Sequence, residues 1–434
     1  TYNTCGNGGG LSNCMGKLTC GGNLTIDHNQ ATNGYGGAID QSVLFECQGN
    51  LYITNNTATG NGGGLYGHGG ITMGSGKTIT VKGNTSNSNG GGAYYNGNVA
   101  SSSVPTTIII DSNYAANGAG VYSSGSLYFY GNTTICRNTA TSNGGGWYNP
   151  STPTINGTLT MYDNNAVNGG GLYNNNGTFT LNNANIYHNT ATTSGGGIYV
   201  AGGTVNFSAG TNTIGGSWAN RNTAVNGGGI YVAGGTLKTT VATTINYNTA
   251  TSNGGGLYYN AGTLTLTNPL TLSYNKASNG GGLYTAGAIS IPQNKLLLTS
   301  DTATNGGGLY VSANTTTLQG IEVVKNEATN GGGIYVNDGT LNLTTATTTI
   351  GGSATNKNTA TATGGGICVI GGTVNFNVAP SISYNIATDT GGGIYVGGGS
   401  VNFPVSTTIS YNQSKQGGGI GMRAGTITAS GALT

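Results

Sequence analysis

A repeat of about 27 residues runs through this chain and constrains its fold more than any other feature. Each copy has an apolar residue, two variable residues, Asn, a further residue and Ala or a near substitute. A short polar spacer follows, and the copy ends in Gly-Gly-Gly, Leu or Ile, and Tyr. Ile186 to Tyr199 reads IYHNTATTSGGGIY, and Ile245 to Tyr258 reads INYNTATSNGGGLY. Periods of roughly 20 to 50 residues are typical of stacked-repeat proteins, so we predict a stack of about sixteen coils.

The repeat continues without a break, which predicts a single domain over residues 1–434. No linker, Pro-rich hinge or block of charge separates one group of copies from another. Two longer copies carry a matching insert, at Ile214 to Asn222 and at Ile350 to Asn358. Residues 1–47 are rich in cysteine, and we expect them to form an N-terminal cap.

Three short stretches in each copy predict strands. Examples are Gly196 to Val200, Gly262 to Leu266 and Thr244 to Asn248, in which apolar and polar residues alternate. Copies this short have no room for crossover helices, so each strand must pair with the equivalent strands of the next coils. We therefore predict an all-β, right-handed parallel β-helix with three strands per coil. Coils spaced at about 4.8 Å would build a rod on the order of 75 Å long.

A recurrent Asn predicts a ladder of stacked side-chain amides at one corner of the coils. Each amide can donate to one neighbour and accept from the next, which satisfies polar groups inside the turn. Asp301 interrupts the series, and there we expect local strain or a bound cation or water. The ladder residues are Asn29, Asn56, Asn84, Asn113, Asn138, Asn164, Asn189, Asn222, Asn248, Asn275, Asn326, Asn358, Asn385 and Asn412.

Charge is scarce and evenly spread. Only 5% of the residues are charged, while Gly accounts for 85 of the 434 residues. The twelve Lys and Arg are scattered and the net charge is +2, so the sequence predicts neither a nucleic-acid surface nor a basic membrane patch. No stretch is long and apolar enough to predict a membrane-spanning helix. We expect an extracellular or cell-surface protein.

The cysteines are concentrated at one end of the chain. A cluster of this kind is typical of a cap stapled by disulfides in an oxidising compartment. A zinc site is the alternative, but the spacings do not give a CxxC pair. We predict disulfides among Cys5, Cys14, Cys20 and Cys47.

Two coupled motifs resemble those of the polymorphic outer-membrane protein family, whose hallmark is a GGA(I/L/V) element coupled to FxxN. Gly36-Gly37-Ala38-Ile39, preceded by Ile26-Asp27-His28-Asn29, is a close copy. Most other copies have Gly in place of Ala, and Ile, Leu or Val in place of Phe. The resemblance implies a surface β-helix of the autotransporter-passenger type, and members of that family are often adhesins.

Catalytic chemistry is not expected. The ten acids are mostly one per coil or fewer, whereas glycan-cleaving β-helices need acids grouped within one or two coils. The densest group comprises Asp27, His28, Asp40 and Glu46, which we interpret as polar contacts of the cap. Calcium-binding and phosphate-binding motifs are missing, so we predict no enzyme, cofactor or metal.

Tyrosine follows the apolar residue of most glycine triplets, which predicts an outward ladder of rings. Stacked rings stabilise a sheet, and the alternative is a surface for glycans or for packing of rods. Thr-x-Thr pairs such as Thr263 and Thr265 also allow ice binding, but the second position varies along the chain. The ladder residues are Tyr66, Tyr94, Tyr122, Tyr148, Tyr173, Tyr199, Tyr231, Tyr258, Tyr284, Tyr310, Tyr335 and Tyr395, with Cys368 as the exception.

The two ends of the sequence are in phase with the repeat. Gly425 to Thr434 aligns with Gly262 to Thr271, and the residues that follow Thr271 align with the first residues of the chain to within about one residue. A head-to-tail contact of this kind produces a filament, and we expect Gly425 to Thr434 to pair as strands with Thr1 to Leu11 of the next copy. Our leading hypothesis is a structural protein that stacks on copies of itself, and the alternatives are a monomeric adhesin or a carbohydrate-active enzyme. The residues expected to mediate stacking are Thr1, Tyr2, Asn3, Thr4, Leu11, Gly425, Thr426, Ile427, Thr428, Leu433 and Thr434.

Overall fold

A computed structural model of the protein describes residues 2–13, 15–97, 99–100, 107–345 and 347–434. It contains two compact units, Thr1–Asn212 and Thr213–Thr434, and the boundary falls inside the strand Asn212–Gly215. Both units are parallel β-solenoids, and the described residues contain no helix. The predicted all-β parallel solenoid is confirmed, while the right-handed winding of the coils and the single domain stay predictions.

In the first unit each coil contributes strands to four sheets, numbered here in coil order from the glycine triplet. Sheet 1 contains Leu11–Asn13, Ile39–Gln41, Leu65–Gly67, Ala93–Tyr95, Val121–Ser123, Trp147–Asn149, Leu172–Asn174 and Ile198–Val200. Sheet 2 is interrupted and contains Leu18–Cys20, Phe45–Cys47, Ile71–Met73, Val99–Ala100, Leu127–Tyr130, Thr154–Asn156, Thr178–Asn182 and Thr204–Ala209. Sheet 3 contains Leu24–Asp27, Leu51–Thr54, Thr78–Lys82, Thr107–Asp111, Thr133–Cys136, Leu159–Tyr162 and Ala184–Tyr187. Sheet 4 contains Thr4–Cys5, Gln30–Ala31, Thr57–Ala58, Thr85–Ser86, Tyr114–Asn117, Thr139–Asn143, Asn165–Asn168 and Thr190–Ser194.

The second unit repeats the same order of strands. Sheet 1 contains Ile230–Val232, Leu257–Tyr259, Leu283–Thr285, Leu309–Val311, Ile334–Val336, Ile367–Val369, Ile394–Val396 and Ile420–Met422. Sheet 2 is again interrupted and contains Thr236–Thr239, Thr263–Leu266, Ile289–Ile291, Thr315–Leu318, Thr340–Leu343, Thr373–Phe376, Ser400–Phe403 and Thr426–Ala429. Sheet 3 contains Thr243–Asn246, Leu270–Ser273, Leu296–Thr299, Glu322–Val324, Thr349–Gly351, Ser381–Ser383 and Thr408–Ser410. Sheet 4 contains Thr223–Asn226, Thr249–Asn253, Lys276–Asn279, Thr302–Asn305, Glu327–Asn330, Thr359–Thr363 and Ile386–Ala387.

Equivalent residues of successive coils lie directly opposite one another. Leu257 pairs with Leu283, and Tyr258 pairs with Tyr284, in a parallel register. Since side chains alternate across a strand, the leucines point inward and the tyrosines point outward. The three predicted strands correspond to sheets 1, 2 and 3. Sheet 4, which follows the ladder Asn, was not predicted.

Close approach between coils explains the glycine triplets. Gly254 has a φ of +64°, and a Cβ there would lie 2.6 Å from the carbonyl oxygen of Leu257. Gly145 has an ordinary φ, but its Cβ would lie 2.5 Å from the carbonyl oxygen of Gly170 in the next coil. The first glycine therefore supplies a left-handed backbone, and the others let neighbouring coils touch.

The predicted amide ladder is present in both units. The backbone N–H and the Nδ2 group of each ladder residue donate to Oδ1 of the next, as from Asn56 to Asn84 at 2.9 and 3.0 Å. Most ladder amides are fully buried, and Nδ2 also donates to a strand carbonyl, such as that of Ile26 at 3.0 Å from Asn56. Asn3 donates to Asn29 in the same way at 2.8 Å and is a rung that the sequence did not reveal.

Asp301 takes the place of an amide in the second unit. Its Oδ1 accepts from the backbone N–H and the Nδ2 of Asn275, at 2.7 and 3.0 Å. Its Oδ2 is buried without a hydrogen-bond partner among the described residues. Burial raises the pKa of Asp301 well above its usual value, which favours the protonated carboxyl over the carboxylate. We expected strain, a bound cation or a bound water at Asp301. A proton on the carboxyl group is a different way of placing an acid at this rung.

The residue before the ladder Asn projects outward at the corner. In most coils it has a positive φ, for example 57° at Tyr247 and 56° at Arg137. The left-handed backbone turns the chain so that the following Asn points inward. We call these residues the corner row; they are His28, Asn55, Gly83, Ser112, Arg137, Asp163 and His188 in the first unit, and Tyr247, Tyr274, Ser300, Lys325, Tyr384 and Tyr411 in the second.

Candidate functional surfaces

The tyrosines of sheet 1 form a stacked ladder in the first unit. Neighbouring rings from Tyr66 to Tyr199 are 4.8 to 5.3 Å apart and tilted by 4 to 12°. Asp40 occupies the ladder position one coil before Tyr66, and there the ring of Tyr35 stacks on Tyr66 at 4.5 Å. Burial and then the neighbouring rings raise the pKa of Tyr122 to about 12.

A second ladder runs through sheet 1 of the other unit. Its rings from Tyr231 to Tyr335 are 4.6 to 5.1 Å apart, and it ends where Cys368 lies in register between Tyr335 and Tyr395. Both faces of an interior ring are covered by its neighbours. A sugar therefore meets only ring edges and hydroxyl groups on this surface, and the stacking itself stabilises the sheet.

The residues expected to mediate stacking lie on sheets 4 and 1 at the N-terminal end, and on sheet 2 and beside sheet 3 at the C-terminal end. Thr4 lies in sheet 4 and Leu11 in sheet 1, where they pair with strands Gln30–Ala31 and Ile39–Gln41. At the other end Thr426, Ile427 and Thr428 pair with Ser400–Phe403 in sheet 2, preceded by Gly425. Leu433 bridges Thr407 next to sheet 3, and Thr434 hydrogen-bonds to Thr407 and Ile409. Tyr2 is exposed, Asn3 is a ladder rung, and Thr1 lies outside the described residues.

This placement corrects the expected pairing between the ends. Gly425 to Thr434 is expected to pair with Thr1 to Leu11, but Thr4 and Leu11 lie in sheets 4 and 1, whereas Thr426 to Thr428 lie in sheet 2. Coils continued in phase would put Leu11–Asn13 beside Ile420–Met422 in sheet 1, and Leu18–Cys20 beside Thr426–Ala429 in sheet 2. The physical reason is the parallel register, which allows a strand to pair only with its own equivalent one coil away.

The predicted disulfides are absent among the described cysteines, all of which are free thiols. Cys20 and Cys47 lie opposite each other in sheet 2, yet both Sγ atoms approach the carbonyl oxygen of Gly22, at 3.2 and 3.5 Å. Cys5 is exposed on sheet 4, away from that pair, and Cys14 lies outside the described residues. Burial raises the pKa of Cys47, which disfavours its thiolate.

The acidic group near the start of the chain is dispersed by the fold. Asp27 and Glu46 lie on sheets 3 and 2, and Asp40 lies on sheet 1. Asp27 contacts His28 at 2.6 Å, and hydrogen bonds from Thr54 and then His28 lower the pKa of Asp27 to about 2. Glu46 forms an ion pair with Lys17 at 2.8 Å. The four residues therefore do not form one site.

A buried acid with cationic partners lies farther along sheet 3. Asp111 is 3% exposed, and Arg137 holds it from the next coil, with Nε and Nη2 each 2.8 Å from a carboxylate oxygen. Burial alone would raise the pKa of Asp111, but the hydrogen bonds from Arg137 and Ser112 outweigh it and the pKa lies below the usual value. This ion pair holds the side chain of Arg137, a member of the corner row, in place, as structural ion pairs do.

The described part of the chain lacks two further features. No three His, Cys, Asp or Glu side chains there form a group that could hold a metal ion. No helix in that part is long and apolar enough to cross a membrane.

One family comparison bears on this architecture. The model of the Chlamydia polymorphic membrane protein repeat matches residues 50–68, the copy that contains Asn56 and ends in Gly-Gly-Gly-Leu-Tyr. Neither the curated proteins nor the solved structures gave a match. The matched copy contributes a strand to sheets 1, 3 and 4, as the other copies do. Together, the matched repeat and the solenoid fit a β-helix repeat protein like the polymorphic membrane proteins and autotransporter passengers.

Proposed function

We propose that this passenger-like surface protein is a structural, non-enzymatic subunit that pairs end to end with copies of itself. The family match supports a place at the cell surface or outer membrane. The dispersed acids support a role without catalysis. The observation that carries the proposal is the direction of the amide ladder.

The ladder has a donor end and an acceptor end. The rungs donate in one direction, toward the rung that follows in the sequence, as Asn385 donates to Asn412 at 2.9 and 3.1 Å. The backbone N–H of Asn412 therefore points toward the position of a following rung, and no described residue of the chain occupies that position. At the other end Asn3 donates to Asn29, and no described residue donates to Oδ1 of Asn3. The two ends are complementary donors and acceptors.

The apolar columns are also incompletely covered at both ends. Leu11, Leu18 and Leu24 are half-buried, whereas their equivalents one coil later are fully buried. Leu433 is 40% exposed at the opposite end. Pairing of the ends would bury this apolar surface and would satisfy the strand edges, which in isolation are aggregation-prone.

Electron microscopy of the purified chain at micromolar concentration tests the proposal. We expect unbranched filaments that lengthen with concentration, and fibre diffraction with a spacing of about 4.8 Å along the axis. Particles that stay single at all concentrations, by microscopy and by sedimentation, would reject end-to-end pairing. That result would leave the surface location and the passenger-like fold untouched.

A further inference from the structure

An exposed aromatic cluster lies at the corner of the second unit, on a different surface from the tyrosine ladder. Trp218 is 46% exposed and sits in the insert Ile214 to Asn222. Its ring is 5.4 Å from that of Tyr247 and nearly perpendicular to it, at 83°. Tyr247 in turn stacks on Tyr274 at 4.8 Å and 5°. Both tyrosines belong to the corner row.

The fold of the insert does not require this tryptophan. The insert at Ile350 to Asn358 has Ala354 at the equivalent position. Yet the same hydrogen bonds close both loops: Asn220 N–H to Ser217 O at 3.0 Å, and Asn356 N–H to Ser353 O at 3.1 Å. The ladder amides that follow, Asn248 and Asn385, bind the carbonyls of Ile214 and Ile350, each at 2.9 Å. An exposed indole that the loop does not need calls for another explanation.

The rings also leave a face open to solvent. Tyr274 is 44% exposed, and the next residue of the corner row is the small Ser300. In the sheet 1 ladder, by contrast, both faces of an interior ring are covered. The loop that carries Trp218 is polar. Ser217 and Asn220 lie within two residues of Trp218 in the sequence, and Arg221 donates to the Trp218 carbonyl at 2.6 Å.

We propose that Trp218, Tyr247 and Tyr274 form a binding platform for a hexopyranose residue of a glycan. The C–H face of a pyranose ring is weakly positive and packs on the negative face of an aromatic ring. Its hydroxyl groups require donors and acceptors at the rim, which the loop supplies. No Asp or Glu occurs between Asp163 and Asp301, and Asp301 itself is fully buried, so the coils that carry the platform contribute no exposed carboxylate. The inference does not depend on end-to-end pairing.

A glycan array followed by fluorescence titration tests the platform on the full chain. The array carries glucans, galactans, mannans and fucosylated and sialylated oligosaccharides, and soluble forms of the bound sugars are then titrated. The protein has two tryptophans, and Trp147 is fully buried, so a change in emission reports on Trp218. We expect Trp218→Ala to weaken binding by about tenfold or more while the melting transition is retained. Tyr274→Ser, which copies Ser300, should also weaken binding.

The second insert provides a matched gain-of-function variant. Tyr384 and Tyr411 stack beside it at 4.8 Å, so Ala354→Trp would complete a second cluster of the same composition. We expect this variant to raise the number of sugar sites from one to two. Several outcomes would overturn the proposal: no sugar bound on the array, equal binding by Trp218→Ala, or an unchanged number of sites in folded Ala354→Trp. A change in self-association alone on mutating Trp218 would point to a second copy of the chain and would also reject it.

Discussion

At the scale of single residues, the buried polar groups of the solenoid are satisfied by Asn side chains, whose amides both donate and accept hydrogen bonds. Asp301 is the informative exception because a carboxylate cannot donate. Its Oδ2 has no hydrogen-bond partner in the described part of the structure, and a Cβ added at Gly282 would lie 2.5 Å from it. Burial favours the protonated form of the acid at this position, which couples the fold to pH at one rung of the ladder.

Asp301→Asn is expected to stabilise the protein at neutral pH by about 1–3 kcal/mol, because the amide donates a hydrogen bond without the cost of keeping a proton on a carboxyl group. The pKa of Asp301 is raised in the folded state, so its stability is fully present below the unfolded pKa of about 4 and falls as the pH rises toward the folded pKa. The advantage of Asn should therefore be small near pH 4 and large at pH 7. Urea unfolding at both pH values measures it, and equal advantages would contradict the protonation argument.

The ladder could be predicted from the sequence because one residue type recurs at one position. The corner row could not, because its members are as different as His28, Arg137 and Tyr247, and share only a backbone angle. Asp301 was located correctly, but its proton depends on burial that only the fold reveals. The insert that contains Trp218 could be recognised in the sequence. Its contact with Tyr247 could not, because Tyr247 lies in the next coil, far from Trp218 in the sequence.

At the scale of elements, coil-to-coil register determines what each strand contributes. Sheets 1, 2 and 3 could be predicted because their apolar residues alternate with polar ones. Sheet 4 could not, because strands such as Thr57–Ala58 have two residues and those such as Thr249–Asn253 have small or polar side chains. The same register that builds the core stacks the tyrosines on its outer face.

Tyr258→Ala is expected to destabilise the second unit by about 2–4 kcal/mol, since it removes a ring stacked on both sides, at 4.6 and 4.7 Å. Tyr258→Phe is the matched control. It keeps the ring and both stacks, so we expect a change within about 0.5 kcal/mol. Chemical unfolding followed by far-UV circular dichroism compares the three proteins. Equal losses for Ala and Phe would show that the hydroxyl, rather than stacking, stabilises the ladder.

At the scale of the whole molecule, the proposed pairing has a direction, because one end of the amide ladder donates hydrogen bonds and the other accepts them. The strand edges at the two ends also differ. The N–H groups of Thr426 and Ser430 donate to Gly399 and Phe403 within the chain, each at 2.9 Å. By alternation along the strand, the N–H of Ala429 points toward the free edge. Ala429→Pro therefore removes an outward donor without removing an internal hydrogen bond.

This variant is expected to terminate filaments. Its N-terminal end is intact and can add to a wild-type end, but its own C-terminal edge cannot pair, so growth stops. Small fractions of Ala429→Pro mixed with wild-type protein should shorten filaments measured by electron microscopy.

Thr4→Pro combined with Ala429→Pro is the control for that experiment. Gln30 N–H and Thr32 N–H bind the carbonyls of Asn3 and Cys5, each at 2.9 Å, so the N–H of Thr4 faces the free edge and its loss blocks the other end. The double variant should neither assemble nor shorten wild-type filaments. If the double variant shortens wild-type filaments to the same extent as Ala429→Pro, the polymer does not grow through paired ends. Lateral contacts between solenoids then become the alternative.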